Sequence, residues 1–175
     1  MQDAKDLKQA IHGFAASWKG RTSRSVFVAG SVPAEVERRH RARHPGMAAD
    51  EPILLLLNKG PMSIFGVPIN AFTGIALTAS HLHYCTMKYY FLGFIPVRGQ
   101  CSAVPLGELE SVRIGNYDIS SAGQVGHELL VNGCPRGFVR MGTGLFPDHA
   151  AIDFLNRLFS SLRLNGLLAV PSAPR

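Results

Sequence analysis

The chain has 175 residues, 46% of them apolar and 17% charged, with a net charge of +6. That composition suits one domain with a core of ordinary size and excludes a chain that is disordered throughout. No apolar run reaches the roughly 18–20 residues of a bilayer-spanning helix, and the first nine residues carry Asp3, Lys5, Asp6 and Lys8 where a secretion signal would be apolar, so a cytoplasmic protein is expected.

The first 50 residues hold nine Lys/Arg against five Asp/Glu and read as helical. Leu7, Ile11, Phe14 and Trp18 recur at helical spacing and predict an amphipathic helix that Gly20 stops. A second helix is expected from Pro33 to the His44-Pro45-Gly46 break. With only Ala34, Val36 and Ala42 as apolar residues, it should cover little core. From Glu51 the texture changes to short strands with turn punctuation. Residues 53–57 form an unbroken apolar run, read as a buried strand, and the stretches 74–78 and 81–87 flank Ala79-Ser80 as a hairpin. Residues 111–114 alternate as a half-exposed strand does, and Asn132-Gly133 predicts a tight turn between 128–131 and 137–141. Asp148 is placed to cap a final helix whose Ala151, Phe154, Leu155, Leu158, Phe159 and Leu162 make one apolar stripe, ended by Asn165-Gly166. The division expected is a helical extension over 1–49, a sheet-and-helix domain over 50–166 and a tail over 167–175.

Strands followed by one amphipathic helix imply an α+β domain in which the helix closes a curled antiparallel sheet. The block from Gly74 to Tyr84 resembles the hairpin of the second and third strands in bacterial pleckstrin-homology-like and GRAM-like domains, where Leu-Thr, a polar turn and a Leu/Tyr-rich strand follow one another. The stretch Val104 to Val112, with Pro105-Leu106, is similar to the corner that follows in those families. The resemblance covers roughly residues 50 to 163 and implies about seven strands in a bent sheet with a capping helix. Ala79-Ser80 stands where a charged turn is common in the family, and no inositol-phosphate signature is present, so lipid headgroup binding does not carry over.

Catalytic patterns are missing. There is no G-x-S-x-G, no G-x-G-x-x-G and no phosphate-binding P-loop, and the scattered acidic residues offer no acid/base pair. An enzyme is not expected, nor a cofactor or a small-molecule substrate. Cys85, Cys101 and Cys134 are odd in number and show no CxxC spacing, so buried free thiols are expected. His81-x-His83-x-Cys85 would align two imidazoles and a thiol on one strand face, but no fourth ligand is evident and no metal is expected.

What remains is binding. Arg38, Arg39, Arg41 and Arg43 crowd one short helix, where like charges repel, and an anionic lipid surface would relieve them; nucleic acid is the less expected partner. Between Lys88 and Arg98, the aromatic residues Tyr89, Tyr90, Phe91 and Phe94, with Leu92 and Ile95, form a surface too apolar for open water. Gly93 and Pro96 argue against one uninterrupted strand there. Three fates stay open for it: packing under the N-terminal helix, burial against a second protomer, or contact with a membrane interface. The expected function is a non-catalytic module that engages a protein partner or a membrane surface, with self-assembly into a homo-oligomer as the alternative.

Overall fold

A computed structural model describes residues 4–169, except 22, 24, 45, 60–61, 65–66, 70–72, 91–94, 120–124, 141 and 144–145. In chain order its elements are α1 (Ala4–Ser17), β1 (Val26–Val28), α2 (Ala34–Arg41), β2 (Ile53–Lys59), β3 (Met62–Ile64), β4 (Val67–Ile69), β5 (Thr73–Thr78) and β6 (His81–Tyr90). There follow β7 (Ile95–Pro105), a short 3-10 turn (Leu106–Glu108), β8 (Val112–Ile119), β9 (Val125–Val131), β10 (Cys134–Val139), β11 (Gly142–Thr143), β12 (Phe146–Pro147) and α3 (His149–Leu164). The fold is α+β, a curled antiparallel sheet with a C-terminal helix, consistent with a pleckstrin-homology-like arrangement.

The main sheet runs β1-β2-β5-β6-β10-β9-β8, with β7 paired along β6. Closure of the curl falls where β10 meets β6, at Phe138 opposite Met87. The register breaks on both sides of that point, between Cys85 and Met87 and between Pro135 and Phe138. Thr86, fully buried, donates its hydroxyl to the Arg136 carbonyl at 2.7 Å and so stitches the joint. The Asn132-Gly133 turn has φ of 53° and 73°, the left-handed pair that joins twisted strands tightly. Asn132 also takes the Glu110 N–H at 2.8 Å and donates to the Glu108 carbonyl at 2.6 Å, which fixes the corner before β8.

The main core lies between the sheet and the two long helices. Leu7 and Ile11 of α1 enter it beside Leu155, Leu158, Phe159 and Leu162 of α3. Phe14 and Trp18 extend the contact: their rings stack at 5.8 Å, and both meet Phe154 edge-on, at 5.5 and 5.4 Å. Asp148 caps α3 through a bond from the Ala151 N–H at 3.0 Å, and its other oxygen accepts from Ser23 at 2.6 Å. Strand β8 is a sheet edge, and α3 covers it: the Asn156 amide accepts from the Ile114 N–H at 2.7 Å and donates to the Ile114 carbonyl at 3.0 Å, as a neighbouring strand would.

Residues 1–49 are therefore not an extension. Val26–Val28 pair with Leu55–Leu57 and lengthen the sheet, and α1 belongs to the main core. A three-residue strand is too short to show a period, which is why the sequence reads as helical there. The tail is docked through Leu168, which is buried, and the Ala169 N–H, which bonds the Leu109 carbonyl at 2.8 Å. Because Phe154 joins α1 to α3, Phe154→Ala should cost about 3–4 kcal/mol. Trp18 is the only tryptophan, so a lower denaturant midpoint should come with a red-shifted native emission; unchanged emission would show that the aromatic trio does not join the helices.

Candidate functional site

Strand β6 has two buried faces. Leu82 and Tyr84 point into the main core, whereas His83 and Cys85 point to the opposite side of the sheet, beneath α2. The face shared by the histidines is covered, and His83 is only 1% exposed. Alanines flank it across the ladder, Ala76 on β5 and Ala103 on β7, and leave room for the ring. The cover is the helix expected to bury little. Its His40 is fully buried, and His44 just beyond it is 2% exposed. Spaced four apart, these two imidazoles present one face to the sheet, with rings 5.5 Å apart. Gly74 on β5 allows the approach, because a Cβ there would stand 2.6 Å from His40 Cε1.

Hydrogen bonds fix the protons in this layer. His40 Nε2 is 3.1 Å from Asn58 Oδ1, an oxygen that can only accept, so Nε2 carries the proton. Burial outweighs that bond and pushes the His40 pKa down to about 4, leaving a neutral ring whose Nδ1 accepts. Nδ1 faces His44 Nε2 at 3.3 Å, so His44 donates there. Burial, with His40 and His83 nearby, lowers His44 to about 3. Its remaining lone pair, on Nδ1, faces Cys85 Sγ at 3.6 Å.

At the rim, next to the β5–β6 turn, Ser80 joins two further groups. Glu51 Oε1 accepts from the Ser80 N–H at 2.9 Å and from its hydroxyl at 2.6 Å. Partial burial pushes the Glu51 carboxyl up, but the bonds from Ser80 and Thr78 outweigh it and hold the group below its ordinary value. Being ionised, it takes the one hydroxyl proton. The Ser80 oxygen then accepts from His81 Nδ1, 2.5 Å away, and His81 Nε2 keeps its lone pair. Ligand atoms of Glu51, His81 and His83 lie within 4.8 Å of one another. Glu51 is 30 residues from His81 in sequence, so spacing alone could not find it. The i,i+4 pair His40/His44 was a legible sign.

Arg41 holds this rim. It donates to the Ala48 and Glu51 carbonyls, both at 2.5 Å, and pairs with Glu37 at 2.6 Å. The four arginines therefore do not form a bare cationic face. Arg38 and Arg39 both pair with Glu35, at 2.9 and 3.7 Å, and the Arg38 guanidinium holds the Glu35 carboxyl below its usual range. Arg43 follows the helix, with its carbonyl 3.4 Å from Cys85 Sγ. The expectation of three free thiols is also overturned. Cys85 and Cys101 stand opposite each other on β6 and β7, with Cα atoms 4.1 Å apart, and form a disulfide. Cys134 is free and exposed.

The two ends of the apolar segment lie in strands. Lys88, Tyr89 and Tyr90 end β6, and Ile95 and Arg98 lie in β7, with Tyr89 opposite Pro96 and Tyr90 opposite Ile95. Phe91, Leu92 and Phe94 fall outside the described residues, as do the side chains of Lys88, Tyr89, Tyr90, Ile95 and Arg98. The aromatic face of α1 is already engaged with Phe154. Among the described residues no helix is long and apolar enough to cross a membrane.

At the β8 edge of the sheet, β8 and α3 bound a cleft of about 360 Å³. Val112, Leu130 and Phe159 contribute apolar lining, Ser111 and Ser160 bring hydroxyls, and Arg113 and Arg163 bring two exposed guanidinium groups. Neither arginine has an ion pair among the described residues. Sequence reading missed both, since they are 50 positions apart and on different element types. No family model matches the chain, and no curated protein or solved structure matches it either.

The buried imidazoles make stability depend on pH. The unfolded chain protonates these histidines near pH 6.5, whereas the folded chain holds His40 and His44 neutral until about 4 and about 3. Their contribution is complete above pH 6.5 and is lost as pH falls toward those values, at about 1.4 kcal/mol for each unit of depression. Denaturant midpoints should therefore fall steeply between pH 6.5 and 4, and His40→Gln should flatten the curve. Gly74→Ala should cost about 1–3 kcal/mol, because the ring cannot yield without breaking its bond to Asn58. A wild-type melting temperature for Gly74→Ala would mean that α2 does not sit on the sheet this closely.

Proposed function

We propose that this domain is a non-catalytic binding module whose cleft between β8 and α3 receives an acidic group of a protein partner. The carrying observation is the pair Arg113 and Arg163 on one small cleft with no acidic lining residue among the described residues. Arg163 lies in the last turn of α3, where a cation suits the helix dipole, but Arg113 on its strand has no such reason to be there. Two planar guanidinium groups can grip a carboxylate or phosphate through paired N–H donors, and the serine hydroxyls add neutral ones. The apolar lining of Val112, Leu130 and Phe159 suits the stem of a side chain. Among the described residues the lining contains no His, Cys, Asp, Glu or Lys, so none of these side chains moves a proton near neutral pH. That supports binding without turnover. Its volume of about 360 Å³ accommodates the side chain that carries the acidic group.

The test is fluorescence anisotropy with labelled acidic and phosphorylated peptides, alongside sedimentation with anionic vesicles. Peptide binding should weaken with salt, and Arg113→Gln and Arg163→Gln should each reduce affinity about 10- to 100-fold, the value of a charge-assisted hydrogen bond, while leaving the melting temperature unchanged. Equal affinity in the double variant would remove the cleft from consideration. Vesicle binding that survives both changes would favour a membrane module instead.

A further inference from the structure

The rim of the histidine layer carries a second site, beside the β5–β6 turn and apart from the arginine cleft at the β8 edge. His81 and His83 alternate on β6 and so share a face, which the strand period dictates. Glu51 enters from the segment before β2, held there through its backbone carbonyl by Arg41 and through Oε1 by Ser80. Two imidazoles and a carboxylate are borderline donors that suit late first-row divalent ions. The ligand atoms lie within 4.8 Å of one another. Metal–ligand bonds of about 2.0–2.1 Å set the donors of a tetrahedral site about 3.3 Å apart. Closing the set takes rotations of Glu51 and His81, which reach the surface, while His83 stays anchored between its alanines.

The surrounding bonds prepare the ligands. The Ser80 oxygen accepts a hydrogen bond from the His81 Nδ1–H, so the lone pair sits on Nε2, the atom at the end of the ring. Glu51 spends one oxygen on Ser80, and a carboxylate has a second. Cys85, the third member of the sequence pattern, is bridged to Cys101 and supplies no thiolate. We propose that Glu51, His81 and His83 bind a divalent transition-metal ion, with Zn²⁺ as the reference, and that the fourth position is open to water or to a donor from a partner. Arg41 and Ser80 are positioning residues for this site.

Full-length protein, stripped of metal with its disulfide intact, would be titrated with Co²⁺ and then Zn²⁺. A visible d–d band should saturate at one equivalent of Co²⁺ and vanish on adding Zn²⁺. His81→Ala and Glu51→Gln, both changes at the partly exposed rim, should each weaken Co²⁺ by more than 10-fold, and Ser80→Ala by about 10-fold. His12→Ala and His149→Ala should leave the titration unchanged. His83→Ala removes a buried ring and is read only if its circular dichroism matches wild type. No band in the wild-type protein, or one that persists in His81→Ala, would overturn the assignment. Thiolate charge-transfer absorption would place the ion at cysteine and overturn it too. Peptide binding in the arginine cleft is read separately, so either idea can fail alone.

Discussion

Strand β6 is covered on both sides, and most of the architecture answers to that fact. One side receives Leu82 and Tyr84 into a core built from α1, α3 and the inner faces of β2, β5, β8 and β9. The other receives His83 and Cys85 beneath a helix with almost no apolar residues. An imidazole buried without partners costs several kcal/mol, so such a cover works only where the hydrogen bonds are arranged in advance. Asn58 begins that arrangement by accepting from His40, and each later proton position follows from it. The polar layer thus specifies where α2 sits more sharply than greasy contacts would, since a shift of one residue would break the chain of donors and acceptors. A small apolar cluster, Ile53, Leu56 and Ala76 with Phe27, Val36 and Met47 around it, anchors the same face.

Charge is distributed by the same economy. The arginine-rich helix looks like a ligand surface in one dimension, yet Glu35 and Glu37 neutralise much of it locally, and Arg41 serves as a strut between α2 and the segment before β2. Exposed pairs of the Arg38–Glu35 kind contribute little to stability. Arg41 differs because it is mostly buried and also bonds two backbone carbonyls. Arg113 and Arg163, far apart in sequence, have no ion pair among the described residues. Binding sites on a sheet-and-helix scaffold commonly arise this way, from residues that only the fold assembles.

The elements with a strong period were legible. The stripe of α3, the run of β2, the β5–β6 hairpin and the Asn132-Gly133 turn lie where their sequences place them. What escaped was set by tertiary contacts. Val26–Val28 become a strand only because β2 offers an edge, and Cys85 meets Cys101 only through the register of β6 and β7. The histidines on β6 could be assigned to a face, but whether that face was open depended on α2, whose composition suggests solvent. Here the hydrophobic pattern misleads for a physical reason: a buried face satisfied by imidazole and amide bonds leaves no apolar signature.

The stacking of Phe14 and Trp18 on Phe154 joins the first helix to the last, across 140 positions of chain. During synthesis at about 5–20 residues per second, the apolar side of α1 waits on the order of ten seconds for its partner to emerge. Through that interval the nascent chain displays two large aromatic rings to whatever surrounds the ribosome. The contact between the first helix and the last is therefore made only once α3 has emerged.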